Sequence, residues 1–170
     1  MSETFVVNNV VEAIKNGFQV TVITDKKNDS SFSTQEELLN DYSISEKIEK
    51  FSEHGKKSKR YFKAFCHLLN PVWFYYYIKY AQFKKKKSLS LLFRLAFYYP
   101  HRKTTFHVHF ATALEPLLEL RRIGFLKSKI IVTFHGYDAF YLPAGKKLES
   151  LVTDYVEYVD HITVNSAYLK

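Results

Sequence analysis

Apolar side chains recur along the chain with two different spacings, one typical of helices and one typical of strands. Over residues 3–16 they stand three and four positions apart, as at Val7 and Val11, and this spacing places them on one face of a helix. Gly17 follows, and glycine often ends a helix in the left-handed conformation. Residues 18–24 are rich in β-branched side chains and predict a strand.

The same spacings predict alternating helices and strands over the rest of the chain. A capping-box pattern at residues 33–36 predicts the start of a short helix. Further helices are predicted at about 43–53, 57–69, 72–83, 88–98, 113–122 and 146–158, and strands at 106–110, 129–134 and 161–164. Strands that alternate with helices pair in parallel, with the helices against the sheet. The pattern therefore predicts an α/β fold, a Rossmann-like parallel sheet with flanking helices.

Composition supports a folded domain and excludes several other classes of protein. The chain has 170 residues, of which 46% are hydrophobic, and this suits one domain and excludes a disordered or collagen-like chain. Its single cysteine, Cys66, cannot form an internal disulfide, so we expect a reducing compartment. We find no secretion signal and no apolar run of about 18 residues, so we expect a cytoplasmic protein without a membrane-spanning helix.

The net charge of +8 is concentrated in one segment of the chain. Residues 54–103 hold 13 basic residues and no acidic residue, and aromatic side chains are interleaved with them. Such a mixture suits an interfacial helix on an anionic membrane leaflet, or a surface that follows a nucleic-acid backbone. A solvated helical insertion whose aromatic side chains belong to the core would have the same composition. For membrane contact, the candidate side chains are Trp73, Lys84, Lys85, Lys86 and Lys87.

Candidate binding residues follow from the predicted sheet, because ligands bind beyond the carboxyl ends of parallel strands. Such positions hold His109 and the segment with His135, Gly136 and Asp138. A histidine there can hydrogen-bond a sugar hydroxyl or a developing charge, and a glycine lets a ligand approach the backbone closely. Alternatively, His135 only caps its strand and Asp138 only caps the next turn.

Other polar residues near strand and helix ends have both a functional and a plain structural interpretation. His107 and His109 lie two apart on one strand face, but no third ligand follows nearby, and we predict no metal site. We expect His109 to shape a binding cleft and His107 to pack internally; two structural histidines are the alternative. Residues 2–4 begin a helix whose free N–H groups could bind phosphate. Ser166 begins a second predicted helix and could bind a ligand in the same way. Alternatively, residues 2–4 and Ser166 are only helix caps.

Four segments of the sequence resemble bacterial family 4 glycosyltransferases, most of all the enzymes of colanic acid and amylovoran exopolysaccharide synthesis. The segments are Ser2-Glu3-Thr4-Phe5 with the helix and strand after it, and residues 106–111, 132–138 and 159–166. The second segment resembles the family's His-x-His-Phe strand end, and the third resembles its Thr-x-His-Gly-x-Asp segment. The four segments follow one another in the family's order.

The resemblance implies the N-terminal, acceptor-side domain of a two-domain GT-B enzyme, over residues 1–170 with residues 54–103 as a helical insertion. It implies that the first strand and the C-terminal domain, which binds the nucleotide-sugar, are missing. His135 and Asp138 would be catalytic and line the cleft near the transferred sugar. The residues expected to bind acceptor or phosphate are Ser2, Glu3, Thr4, His109, Gly136 and Ser166.

The function implied by this resemblance is transfer of a hexose from a nucleotide-sugar to a lipid-linked or saccharide acceptor in cell-surface polysaccharide synthesis. We expect the fragment to be inactive alone, to need no cofactor of its own, and to lie peripherally at the inner face of the plasma membrane. Its expected partners are the acceptor, an anionic membrane surface and a separately encoded C-terminal domain, with no nucleic acid. A basic nucleic-acid-binding α/β module is the alternative function, although the sequence has no helix-turn-helix, zinc-finger or RNA-recognition signature.

Overall fold

The structure, a computed structural model, describes residues 4–24, 36–51, 57–110, 113–136 and 148–166. The chain forms two compact units, residues 1–54 and residues 55–170. Both units contain parallel strands and helices, so the predicted α/β class is confirmed. The assignment of the whole chain to one domain with an insertion stays a prediction.

The first unit is a small α/β layer. Its elements are α1 (Thr4–Lys15), β1 (Val22–Thr24), α2 (Glu36–Asp41), a 3-10 helix (Ile44–Lys47) and β2 (Ile48–Lys50). The apolar face of α1 contributes Val10 and Val11 to the buried core, together with Ile44. Gly17 ends the helix with a φ of 81°, the left-handed conformation predicted for it.

The helix predicted at 43–53 is wrong, because this segment holds the 3-10 helix and then strand β2. Ser43 has a φ of 47° and turns the chain before the 3-10 helix. Ile48 then pairs in parallel with Val22 of β1. Pairing with a strand distant in sequence therefore prevails over the local helical spacing.

The second unit contains three parallel strands and five helices among the described residues. Its elements are α3 (Lys57–Leu68), α4 (Pro71–Lys84), α5 (Leu89–Tyr98), β3 (Thr105–Val108), α6 (Glu115–Arg122), β4 (Lys129–Phe134), α7 (Leu148–Tyr158) and β5 (His161–Val164). The strand order is β3-β4-β5, and both pairings are parallel, as predicted. No helix among the described residues has the length and apolar character needed to cross a bilayer.

One face of the three-stranded sheet packs against the helices. Along β4 the side chains of Ile130, Val132 and Phe134 are buried. They belong to one core with Leu95 of α5 and Leu120 of α6. Because successive strand side chains point to opposite faces, the alternate positions of β4 lie on the other face of the sheet. That face carries polar side chains, among them Thr133, beside the apolar Ile131.

Candidate functional site

A row of polar side chains crosses all three strands on the face of the sheet opposite the core. The Nε2 atom of His107 in β3 lies 2.7 Å from the hydroxyl oxygen of Thr133 in β4. That oxygen lies 2.6 Å from the hydroxyl oxygen of Thr163 in β5. The three side chains form a hydrogen-bonded ladder, because strand alternation brings their positions to one face in adjacent strands.

Aromatic and polar groups converge at the carboxyl ends of β3, β4 and β5. The ring centroid of His109 lies 4.3 Å from that of His107 and 5.9 Å from that of His135. The Phe110 ring lies 5.3 Å from the His135 ring. The Asn165 side-chain nitrogen lies 3.4 Å from Nδ1 of His135. Three histidines from two neighbouring strands therefore share one end of the sheet.

Gly136 follows His135 and turns the chain away from the end of β4. Its φ is 116°, a conformation that residues with a Cβ rarely adopt. Among the described residues, no atom would lie within 4 Å of a Cβ built at this position. The glycine is therefore needed for its backbone conformation.

The electrostatics of His107 and His109 favour neutral imidazoles. Burial, with smaller contributions from the neighbouring His107 and His135, lowers the pKa of His109 to about 4. Burial also lowers the pKa of His107, with a smaller effect from His135. Near neutral pH these two rings thus act as neutral hydrogen-bonding groups rather than as cations. Such groups suit hydroxyl groups of a ligand better than they suit a phosphate.

Three of the residues predicted for the site, His109, His135 and Gly136, lie together at this end of the sheet. Ser166 is exposed just beyond Asn165. Thr4 begins α1 in the first unit. The predicted residues Ser2, Glu3 and Asp138 lie outside the described residues.

Sequence reasoning missed the polar ladder beside the predicted residues. The expectation that His107 packs internally is wrong, because its side chain is only partly buried and lies on the same open face of the sheet as His109. Thr133, Thr163 and Asn165 were not predicted as site residues. A signal was available in β5, where the polar His161 and Thr163 alternate with apolar residues, but β4 has Ile131 between its polar positions. It was hidden because threonine is also a common strand residue.

Within the part of the chain that the structure describes, no group of three or more His, Cys, Asp or Glu side chains has an arrangement that could hold a metal ion.

Comparisons of the chain with protein-family models, with curated proteins and with solved structures find no match.

The side chains predicted to face a membrane differ in their surroundings. Lys84 donates to the buried carboxylate of Glu119, with 2.6 Å between Nζ and Oε1. The Trp73 ring lies 4.8 Å from the rings of both His67 and Tyr99. The three side chains that follow Lys84 in the lysine run are exposed: Lys85, Lys86 and Lys87. Lys84 and Trp73 thus have partners inside the unit, and their contact with a membrane stays a prediction.

Proposed function

We propose that this chain is the acceptor-side part of a glycosyltransferase that moves a hexose from a nucleotide-sugar to a lipid-linked or saccharide acceptor. One observation carries the proposal. Three of the four segments that resemble family 4 glycosyltransferases meet at one end of the parallel sheet, through His109, His135 with Gly136, and Asn165. That end is where ligands bind in parallel α/β sheets.

The chemistry of the cluster supports binding of a sugar. The imidazoles of His109 and His107 are neutral near pH 7 because burial lowers their pKa values, and neutral rings can both donate to and accept from sugar hydroxyls. The Phe110 ring stands beside His135 and offers an apolar surface to the C–H face of a sugar ring. His135 would hydrogen-bond the transferred sugar, with Asp138 as its catalytic partner.

The donor half of the reaction belongs to another part of the complete enzyme under this proposal. A Rossmann-like acceptor domain in a GT-B enzyme works with a second domain that binds the nucleotide-sugar, and the basic segment would hold the enzyme at the inner face of the plasma membrane. We expect the 170-residue chain to bind an acceptor saccharide and to transfer no sugar. Turnover of a UDP-hexose or GDP-hexose by the purified chain would contradict the assignment of donor binding to a second domain.

A saccharide titration tests the proposal directly. The chain is titrated with oligosaccharides from bacterial exopolysaccharides, and binding is followed by saturation-transfer NMR. His135→Ala is expected to weaken binding at least roughly tenfold, the effect of losing a hydrogen bond to a ligand in a partly buried site. His161→Ala is the matched control, because His161 is an exposed histidine at the opposite end of β5. Equal affinities of the two variants would overturn the proposed site.

A further inference from the structure

Helix α3 exposes a face of large apolar side chains. The exposed fractions are 63% for Tyr61, 71% for Phe62, 60% for Phe65 and 68% for Leu69 just after the helix. Spacings of three and four residues place these side chains on one helix face. Ala64, on the inward side, is 2% exposed. We call these four exposed residues the α3 apolar face.

Four large apolar side chains in water are costly for a folded unit. Each of them would gain free energy if it were removed from water. Contiguous exposed apolar surface of this kind marks a binding surface more often than a plain solvent face. Three further exposed apolar side chains lie near the start of the next helix: Val72, Phe74 and Tyr75.

The charge of the segment that holds this face selects the kind of partner. Residues 54–103 contain 13 basic residues and no acidic residue. Basic and aromatic residues are mixed in the sequence of α3 itself, and Lys85, Lys86 and Lys87 just after α4 are exposed. Lysine is depleted in protein–protein interfaces. Aromatic side chains next to lysines are instead typical of helices that lie in the interface of an anionic bilayer. A bilayer supplies both an apolar layer for the rings and phosphate groups for the lysines.

We propose that α3 docks on an anionic lipid bilayer and inserts the α3 apolar face at the level of the lipid headgroups. Docking would bring the chain to a lipid-linked acceptor, and this role of the docking rests on the proposed function. It does not use Trp73 or Lys84, because Trp73 packs against His67 and Tyr99, and Lys84 pairs with Glu119. Insertion through α3 therefore leaves the core of the second unit intact.

The chain carries its own reporters for this insertion. Cys66 is its only cysteine and is exposed on α3, next to Phe65. An environment-sensitive fluorophore on Cys66 is expected to shift to the blue when phosphatidylglycerol is added to phosphatidylcholine vesicles, and to be quenched by a quencher attached to the acyl chains. Trp73 is the only tryptophan and is packed within the unit. Its unchanged emission would show that the fold is retained.

Matched variants separate insertion from other causes of binding. In vesicle flotation with the full chain, Phe62→Ser combined with Phe65→Ser is expected to lower the partition coefficient at least roughly tenfold. Val156→Ser, at an 81% exposed apolar position on α7, is expected to change nothing. Replacing Lys85, Lys86 and Lys87 by glutamate is expected to weaken binding and remove most of its salt dependence.

Three results would overturn the proposal. The first is equal vesicle binding by the native chain and the double phenylalanine variant. The second is a native dimer that does not bind vesicles and that the double variant converts to a monomer, because a second copy would then cover the face. The third is steeply salt-dependent RNA binding without vesicle binding. The saccharide titration with His135→Ala is scored separately, so failure of the proposed function and failure of membrane docking are distinguishable.

Discussion

The hydroxyl of Tyr80 donates a 2.7 Å hydrogen bond to the carboxylate of Glu119, and both residues are buried. The same carboxylate accepts from Lys84 at 2.6 Å and from Arg94 at 3.3 Å. A carboxylate withdrawn from water is tolerated only when its oxygens have hydrogen-bond partners and its charge is balanced. Glu119 of α6 therefore joins α4 and α5 through one charged group.

We expect Glu119→Gln to lower the free energy of unfolding by about 1–3 kcal/mol, because two cations lose their counter-charge while keeping contact with water. Tyr80→Phe is expected to cost about 1 kcal/mol, since one carboxylate oxygen loses a donor. Urea unfolding measures both changes. Glu37→Gln, on the exposed face of α2, is the control. Strictly additive effects in the double variant would contradict a direct bond between Tyr80 and Glu119.

Elements with a strong local signal were predicted close to their observed bounds. The apolar spacing of α1 and α5 and the β-branched residues of β4 are signals within the local sequence of each element, and they do not depend on distant residues. Strand β2 was missed because it forms by pairing with β1, more than 20 residues earlier. Tertiary pairing of this kind leaves little trace in local periodicity.

The candidate functional residues also include some that the sequence predicts and some contacts that it does not reveal. His109, His135 and Gly136 could be predicted because topology alone brings strand ends together. The contact between Lys84 and Glu119 joins residues 35 positions apart, so spacing within one helix does not reveal it. The lysine run therefore suggested four equivalent surface charges, whereas the first of them pairs with the buried carboxylate of Glu119.

Asp160 ties the start of β5 to α6 and β4. Its carboxylate accepts from Arg121 at 2.5 and 3.1 Å and from the backbone N–H of Ile130 at 2.8 Å. The hydrogen bonds from Arg121 hold the pKa of Asp160 below its ordinary value. A carboxyl group with a depressed folded-state pKa stabilises the fold above its unfolded pKa of about 3.9, and this stabilisation is lost as pH falls through the folded value.

We therefore expect Asp160→Asn to lower the free energy of unfolding by about 1 kcal/mol at pH 7, a modest value because the pair is partly screened by solvent. The difference from the native chain is expected to vanish in strong acid, where the native carboxyl is protonated. Urea unfolding at neutral and at acid pH measures the two differences. Asp41→Asn, at an exposed carboxylate ending α2, is the control. A difference that stays constant with pH would contradict a role for the charge.

Gly136→Ala is expected to lower the free energy of unfolding by about 1–2 kcal/mol, because an L side chain is strained at a φ of 116°. Steric overlap with the described residues adds nothing, since none of their atoms lies within 4 Å of a Cβ there. Thermal unfolding measures the loss. Asn165→Ala removes a neighbouring exposed side chain of the site without imposing strain on the backbone, and we expect a change below about 0.5 kcal/mol. Equal losses in the two variants would show that backbone strain is not the cause.

His109 makes the stability of the second unit sensitive to mild acid. Its pKa is about 4 in the folded chain, because burial and the neighbouring His107 and His135 oppose its protonation, whereas an unfolded histidine has a pKa of about 6.5. The unfolded chain therefore binds a proton that the folded chain does not bind, and stability falls as pH falls between about 6.5 and 4. Above about 6.5 both states are neutral, and the contribution of His109 is constant.

Between pH 7 and pH 5 the free energy of unfolding falls, and we expect the fall to be about 1 kcal/mol smaller for His109→Asn than for the native chain. The reason is that the variant has no imidazole at this position to take up a proton on unfolding. Urea unfolding at the two pH values measures this difference. In the native chain, an NMR titration of the His109 ring proton is expected to have its midpoint well below about 6.5. An ordinary midpoint, or parallel pH profiles for native chain and variant, would contradict a ring kept neutral by its surroundings. It would also remove the electrostatic reason for favouring sugar hydroxyls over phosphate at this end of the sheet.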